Sequence, residues 1–266
     1  MKVKDILSAI DEIAPFDLAE KWDHAGLRLG NYDDDVRRIA VSLDPLESVV
    51  KRASELGCSL LVTHHPLMFS PQENMICDRP DTKAVSAAFA LKVNVVACHT
   101  NLDSAHEGVN EFLASSAGLD NITPLLPSSD PRGFGMGAVG TLKETNCLEF
   151  CQHAAKTWGL SGFRLICKKK LIKRVALCGG AGGDLWKKAA ADLYITADLR
   201  YHECLAALDA GLSVMICDHG EMENPALRPF AEKLAHLVRL PVTYLDIFTE
   251  KRNTEFWENS ANYVSD

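Results

Sequence analysis

Histidine and carboxylate side chains recur at three separated points of this chain, and each point closely follows a short apolar run. The six side chains are His64, His65, His99, Asp103, His219 and Glu223. The apolar runs have the length and β-branched content of buried strands, and ligands of open α/β sheets collect beyond the carboxyl ends of strands. Because imidazole and carboxylate are usual ligands of divalent transition metals, the three strand ends predict one shared metal site.

The adjacent pair His64 and His65 can serve one site only where the preceding strand has ended, since neighbouring side chains of a regular strand point to opposite faces. Pro66 predicts that ending, because proline removes a ladder donor and biases His65 toward extended geometry. If the two rings diverge, each can instead hold one of two neighbouring ions. Both arrangements stay open at this point.

The other two pairs share a spacing of four residues, which fits one turn of chain: His99 with Asp103, and His219 with Glu223. None of the six donors is a thiolate, so the ligand chemistry indicates zinc, iron(II), manganese or nickel. Two ions about 3.5–4 Å apart would suit the activation of water. Glu223 would then be the natural bridging carboxylate.

Length, apolar content and net charge limit the classes of protein to which this chain can belong. The chain has 266 residues, of which 47% are apolar, and this suits one large or two modest α/β domains. Lys and Arg total 28 against 36 Asp and Glu, a net charge of -8. The main basic cluster spans 168–174 and is interpreted as a solvated turn between strands, so nucleic-acid binding is not expected.

The nine cysteines do not indicate a disulfide framework. The chain starts with an amphipathic pattern and not with an apolar signal core, and several cysteines lie in apolar runs where a reduced thiol packs as a small hydrophobe. No C-x-x-C motif occurs, and no apolar run reaches the length of a membrane span. We therefore expect a cytoplasmic protein without a membrane partner.

Strand and helix patterns alternate along the chain, which predicts mainly parallel sheets covered by helices. Predicted strands are 38–43, 59–63, 93–98, 138–142, 163–167, 175–178, 193–196, 212–217 and 242–245. Predicted helices are 3–14, 46–56, 82–91, 148–158, 184–191, 201–210 and 226–237, with a further one starting near Glu107. The segment 120–140 is rich in Pro, Ser, Gly and Asp, and it is interpreted as a domain boundary or a long functional loop.

A glycine-rich segment at 178–184 lies between a predicted strand and a predicted helix. In that context backbone N–H groups can cradle a phosphate. The segment lacks both the G-x-G-x-x-G spacing and a Walker lysine. Anion binding and tight-turn packing therefore both remain open.

Seven motifs in order give the chain a family resemblance that covers nearly its whole length. They are Trp22-Asp23-His24-Ala25-Gly26-Leu27, the run 61–69 around His64-His65-Pro66, His99-Thr100-Asn101-Leu102-Asp103, Gly135-Met136-Gly137, the run 175–180 ending in Gly179-Gly180, the run 194–198 ending in Asp198 with Tyr201-His202 after it, and His219 with Glu223. Together they resemble the dinuclear metal centre hexameric proteins, the NGG-one-interacting-factor-three-like family. Bacterial members of that family are often labelled GTP cyclohydrolase I type 2 homologues.

The resemblance implies two divalent ions per subunit (zinc, iron or manganese) with five protein ligands: His64, His65, Asp103, His219 and Glu223. His99 would then support the site or line its pocket. The implied fold is two interlocked α/β domains with the metal site between them, 1–125 plus 226–266 and 126–225. The implied assembly is a homohexamer, either a trimer of dimers or a dimer of trimers.

Two departures from the family pattern bear on the pocket. His24 stands where the family commonly has Asn, so it becomes a candidate pocket residue. The run 218–223 departs from the usual Gly-His-Tyr type and lacks its aromatic residue, and Glu221 becomes a rival ligand to Glu223. The four-residue spacing from His219 favours Glu223.

The resemblance implies a metal-dependent hydrolase acting on a small molecule. The GTP cyclohydrolase label implies a purine nucleotide, opened by water at C8 with release of formate, although no guanine-reading motif is present. The alternative is a non-catalytic metal-binding or regulatory scaffold. A ring around single-stranded nucleic acid is a weaker third hypothesis, given the acidic charge and the absence of interleaved aromatic and basic residues.

Overall fold

The structure, a computed structural model, describes residues 1–80 and 82–246. Its strands are β1 Gly26–Leu29, β2 Ile39–Ser42, β3 Leu60–Thr63, β4 Asn94–Ala97, β5 Asp120–Pro127, β6 Gly135–Asn146, β7 Phe163–Ile166, β8 Leu171–Leu177, β9 Leu193–Thr196, β10 Ser213–Cys217 and β11 Val242–Leu245. Its α-helices are α1 Val3–Ile13, α2 Glu47–Glu55, α3 Lys83–Leu91, α4 Thr100–Asp103, α5 Val109–Ser116, α6 Cys147–Trp158, α7 Tyr201–Asp209, α8 His219–Glu223 and α9 Leu227–Val238. Short 3₁₀ helices occur at Phe16–Leu18, Gly183–Lys188 and Asn224–Ala226.

The chain forms two compact units, each with its own sheet. Among the described residues, the first contains 1–105 and 227–246, and the second contains 106–226. The sequence prediction had placed the divisions at 125/126 and 225/226. Position 125 lies inside β5, which pairs with β6 of the second sheet, so this strand keeps 120–127 in the second unit. The predicted segment beyond 246 lies outside the described residues.

In the first unit the strand order is β1-β4-β3-β2-β11. The pairings from β4 to β11 are parallel, and β1 adds an antiparallel edge to β4. The register aligns Ser42 with Thr63 and Thr63 with Ala97. Three adjacent strands therefore end level, so residues a few positions beyond them emerge at one edge of the sheet.

In the second unit the strand order is β5-β6-β8-β9-β10-β7. The central strands β8, β9 and β10 are parallel, and Leu177, Ile195 and Met215 lie in one row across them. The remaining pairings are antiparallel. The carboxyl ends of the three central strands therefore also share one edge.

The predicted fold class is confirmed, since both units are α/β and both sheets have parallel centres. The antiparallel pairings lie outside these parallel centres, and β5 and β6 are joined by a direct connection, which antiparallel neighbours allow. Helix burial follows the predicted periodicity: Val3, Ile6 and Ile10 of α1 are fully buried. No described helix combines the length and the apolar character that crossing a membrane requires.

The segment 120–140 was interpreted wrongly, because it contains β5 and the start of β6 instead of a loop. Its glycines serve close packing between these strands. Gly135 has φ +129°, and a Cβ there would lie 2.2 Å from the carbonyl oxygen of Leu126. The predicted helix at 184–191 is the 3₁₀ helix Gly183–Lys188, and β1 was not predicted. The basic cluster begins in the turn between β7 and β8, as expected.

Candidate metal centre

Three histidines gather at the carboxyl edge of the first sheet. His65 and His99 lie two residues beyond the aligned ends Thr63 and Ala97, and His64 lies one residue beyond Thr63. One ring nitrogen of each histidine lies within 4.8 Å of one ring nitrogen of each of the others. The two adjacent rings have centroids 5.1 Å apart and an interplanar angle of 50°, so both serve the same edge once the strand has ended.

Each of these imidazoles is held by an oxygen atom at Nδ1. The contacts are His64 to the Cys98 carbonyl at 2.9 Å, His65 to Asp44 Oδ1 at 2.7 Å and His99 to Asp23 Oδ1 at 3.0 Å. Carbonyl and carboxylate oxygens accept hydrogen bonds, so Nδ1 carries the proton and donates. The lone pair is then on Nε2. Metal-binding histidines have this arrangement, because the outer hydrogen bond fixes the tautomer and the ring orientation.

Asp103 adds a carboxylate to the same unit. It is buried at the end of α4, a single turn that begins directly after His99. Its backbone N–H donates to the carbonyl of His99 at 3.1 Å. That turn brings Asp103 Oδ1 to 3.7 Å from His64 Nε2, so the four-residue spacing delivers a carboxylate to the histidine cluster.

Asp23 is the most constrained of the anchoring groups, with a side chain only 1% exposed. Its Oδ2 accepts from the backbone N–H of Thr100 at 3.0 Å and from the Thr100 hydroxyl at 2.6 Å. Burial raises the pKa of Asp23, but the hydrogen bonds from His99 and Thr100 outweigh it and hold the pKa well below its usual range. The carboxylate therefore stays ionised and accepts the hydrogen bond from His99 Nδ1.

Two exposed aromatic rings flank His99. Trp22 is 62% exposed and Phe69 is 59% exposed. Their ring centroids lie 5.9 Å and 5.7 Å from that of His99, both edge-on. Large exposed aromatics beside polar groups are typical of ligand-binding surfaces.

The second unit repeats the anchored-histidine arrangement at its own strand ends. His219, two residues beyond β10, donates from Nδ1 to Asp198 Oδ2 at 2.7 Å. Its Nε2 lies 3.2 Å from Glu223 Oε2, one turn along α8. Glu223 is 3% exposed. The two donor atoms are close enough to bind one ion together.

The glycine-rich segment packs against this pair. Gly180 has φ +59°, and a Cβ there would lie 2.1 Å from Glu223 Oε1 and 2.8 Å from His219 Nε2. The N–H of Gly179 donates to Asn110 Oδ1 at 2.9 Å. Close packing, the tight-turn alternative, is therefore the role that the structure gives these glycines.

The remaining candidates have other surroundings. The carboxylate of Glu221 accepts from the Ser161 backbone N–H at 2.6 Å and from the Ser161 hydroxyl at 2.8 Å. Its oxygens therefore serve a loop contact, whereas Glu223 faces His219. His24 is exposed, and its backbone N–H donates to Asp23 Oδ1 at 2.7 Å.

The anchoring carboxylates were missed by the sequence analysis. Asp44 lies two residues beyond the aligned end Ser42, and Asp198 lies two residues beyond β9. The strand-end rule that selected the histidines would have found both, had it been applied to every carboxylate. Asp23 follows no strand, so its role depends on tertiary contacts alone.

Oxygen-anchored imidazoles with neighbouring carboxylates, at strand ends of α/β units, define the class as an α/β protein with candidate metal-binding groups. The family model described as Duf34/NIF3 (NGG1p interacting factor 3) matches residues 1–253. The chain belongs to this family, as its motifs predicted.

Relatives and solved structures agree with this assignment. A Clostridium perfringens protein named GTP cyclohydrolase 1 type 2 homolog is 31% identical over 250 residues, covering 92% of this chain and 95% of that protein. The structure of reduced HcgD from Methanocaldococcus jannaschii is 30% identical with a TM-score of 0.80, covering 92% and 98%. A Bacillus cereus protein related to NIF3 is 20% identical with a TM-score of 0.87, covering 96% and 99%, and supports the fold alone.

Replacing the anchor of His65 should weaken metal binding. We expect Asp44→Ala to lower the affinity for zinc or manganese by about 10- to 100-fold, because the ring loses its fixed tautomer and orientation. Competition against a chromophoric chelator measures this. Asp33→Ala, which removes an exposed carboxylate paired with Lys4, is the control and should bind as the wild type does. Equal affinity in both variants would contradict the anchoring role.

Two glycines allow a matched test in the second unit. Gly180→Ala should reduce metal affinity, because its methyl group would displace Glu223 and His219. Gly159 also has a positive φ, +72°, but has no heavy atom within 4 Å of its added Cβ. Gly159→Ala should cost about 1–2 kcal/mol of stability from backbone strain and leave metal affinity unchanged. Thermal unfolding and metal titration of both variants separate strain from displacement, and a Gly180→Ala protein that binds metal normally would refute the packing role.

Proposed function

We propose that this protein is a dinuclear metal-dependent hydrolase. Its two divalent ions would be held by five ligands, His64, His65, Asp103, His219 and Glu223. The observation that supports this best is the common orientation of the histidines. Those in both units donate from Nδ1 to an oxygen and leave Nε2 as the available ligand atom.

The residues fit such a centre chemically. Nitrogen and oxygen donors without thiolate suit zinc, iron or manganese. Five protein ligands shared by two ions leave coordination positions open, whereas structural sites are generally closed. This favours chemistry over a purely structural role.

Each group has a definable task. Bound divalent ions would lower the pKa of water and polarise a substrate oxygen. His65 and His219 donate from Nδ1 to Asp44 and Asp198, which fixes the tautomer that has its lone pair on Nε2. His99, whose Nδ1 donates to Asp23, would line the pocket and present Nε2 to the substrate. The exposed rings of Trp22 and Phe69 would contact a flat or apolar part of it.

The substrate we propose is a purine nucleotide, hydrolysed by opening of its ring with release of formate. The support is the name GTP cyclohydrolase 1 type 2 homolog borne by relatives and the aromatic rings beside His99. We propose further that the protein acts in the cytoplasm and that its substrate is a small molecule.

The alternative function is a non-catalytic metal-binding or regulatory scaffold. Ligand burial favours it: His64 is 1% exposed, Asp103 7% and Glu223 3%. Structural metal sites are typically enclosed in this way, because closed coordination needs no access for substrate.

Metal analysis and turnover measured on the same samples test both functions. We expect two divalent ions per chain, and formate release from GTP that is lost on chelation and regained on adding metal. A panel of phosphoesters and cyclic amides covers other substrates. His65→Ala should lose both metal and turnover, whereas His153→Ala, which changes an exposed histidine on α6, should retain both.

The outcomes separate the hypotheses. Two bound ions without metal-dependent turnover of any substrate would establish the scaffold and reject the hydrolase. Protein that binds no divalent ion would reject both. Turnover that persists in His65→Ala would reject the proposed ligand set.

We also propose that the chain assembles as a homohexamer, either a trimer of dimers or a dimer of trimers. The family resemblance carries this, and exposed apolar side chains on α3 are compatible with a subunit contact: Phe89 is 77% exposed and Leu91 is 41% exposed. Sedimentation velocity should give a mass six times the 29.1 kDa of one chain. A monomer or dimer across the micromolar range would overturn this proposal.

A further inference from the structure

The three histidines of the first unit form a donor group of their own. His64, His65 and His99 each place one donor atom within 4.8 Å of the donor atoms of the other two, and the group contains no carboxylate. All three residues belong to the segment 1–105. The ligand set of the proposed dinuclear centre leaves His99 out, so a site for one ion on these three rings is distinct from that set.

The ring geometry matches three imidazoles around one tetrahedral ion. With zinc–nitrogen bonds of about 2.0–2.1 Å, two imidazoles at the tetrahedral angle have ring centroids about 5.2 Å apart. The observed centroid distances are 5.1 Å between His64 and His65, 5.3 Å between His64 and His99, and 5.8 Å between His65 and His99. Little movement is therefore needed to bring three ring nitrogens onto one ion.

Each ring is already oriented for binding through Nε2. The oxygen atoms of Cys98, Asp44 and Asp23 accept the hydrogen bonds from the three Nδ1 atoms. Because these acceptors set the tautomer in advance, an ion does not have to order the rings when it binds. The side chains of His65 and His99 are 13% and 12% exposed, so an ion from solvent can reach the group.

We propose that the first divalent ion to bind this chain is held by His64, His65 and His99, before the dinuclear centre is complete. The fourth coordination position stays open to water. The next step rests on the proposed dinuclear centre: when the second ion binds, His64 and His65 serve separate ions, and His99 leaves the metal and faces the substrate. His99 is thus a ligand in the one-ion state and a pocket residue in the two-ion state.

The chemistry of the three rings also selects the ion. Imidazole nitrogen suits zinc and its neighbours among the later transition metals, whereas manganese and magnesium prefer oxygen ligands. A group of three neutral rings supplies no carboxylate to such a hard cation. We therefore expect the one-ion state to form with zinc or cobalt(II), and manganese to bind only where Asp103 and Glu223 take part.

The competing position for the first ion is the pair His219 and Glu223 of the second unit. Its donor atoms, His219 Nε2 and Glu223 Oε2, lie 3.2 Å apart, and the His219 side chain is 34% exposed. This pair supplies two protein ligands, whereas the histidine group supplies three that are already oriented. Preorganised donors lose less freedom on binding, so the three-histidine group should hold the first ion more tightly.

NMR of the histidine rings in the full-length protein follows each ligand separately. The protein is labelled with ¹⁵N in its histidines, stripped of metal and titrated with Zn²⁺, and single variants assign the ring signals. We expect Nε2 of His64, His65 and His99 to shift during the first equivalent, and Nε2 of His219 to shift during the second. A first equivalent that shifts His219, or a His99 signal that never moves, would overturn the proposal.

Two variants at position 99 distinguish a ligand from a structural residue. His99→Gln should weaken binding of the first equivalent of cobalt(II) by more than about 100-fold, since losing an outer hydrogen-bond partner costs only about 10- to 100-fold. His99→Cys should bind cobalt(II) with a thiolate-to-cobalt charge-transfer band in the near ultraviolet, which requires sulfur on the metal. His236→Gln, which changes an exposed histidine on α9 of the same unit, is the matched control and should bind as the wild type does. Cobalt(II) bound to His99→Cys without this band would contradict direct ligation.

A double variant separates this proposal from the dinuclear one. His219→Ala combined with Glu223→Ala removes two ligands of the two-ion centre and none of the three histidines. Metal analysis should find one zinc per chain, bound as tightly as the first equivalent in the wild type. Loss of that ion too would overturn the proposal. Wild-type protein that binds no ion would reject both proposals, whereas two ions bound without a His99 shift would reject this one alone.

Discussion

The level ends of parallel strands are the constraint on which the candidate site depends. Register places Ser42, Thr63 and Ala97 in one row of the first sheet, so Asp44, His65 and His99 each emerge two residues beyond that row. A slip of one residue in any strand would reverse the faces of its side chains. Every residue of β2, β3 and β4 is buried, and this burial stabilises the register. The apolar core therefore determines where the polar groups meet.

Convergence alone would leave the rings free to rotate and to change tautomer. The oxygen acceptors at Nδ1, one carbonyl and three carboxylates, restrict that freedom. Asp23 illustrates the energetic balance. Burying a carboxylate is costly, and the hydrogen bonds from His99 and Thr100 compensate for it. Orienting the donor atoms is therefore part of folding and does not wait for a ligand.

The sequence predicted most of the core elements because their apolar periodicity reports burial directly. It failed at 120–140, where the turn-forming composition of Pro and Gly concealed β5 and the start of β6. Gly135 is needed there for close strand packing and a positive φ. A glycine required for these reasons looks the same in the sequence as a glycine in a loop. The short β1 was missed for another reason: its four residues are only partly buried and are too few to give a clear periodic signal.

For the site, spacing predicted which residues are near one another but not what holds them. The anchor Asp23 lies 76 residues from His99 and follows no strand, so no local sequence pattern indicates this pairing. Spacing succeeded where the helix itself imposes the geometry. Position 223 lies one turn after His219 on α8, on the same face, whereas position 221 falls on the opposite side. The two glutamates are chemically identical, so helix geometry alone directs Glu223 to His219 and Glu221 to Ser161.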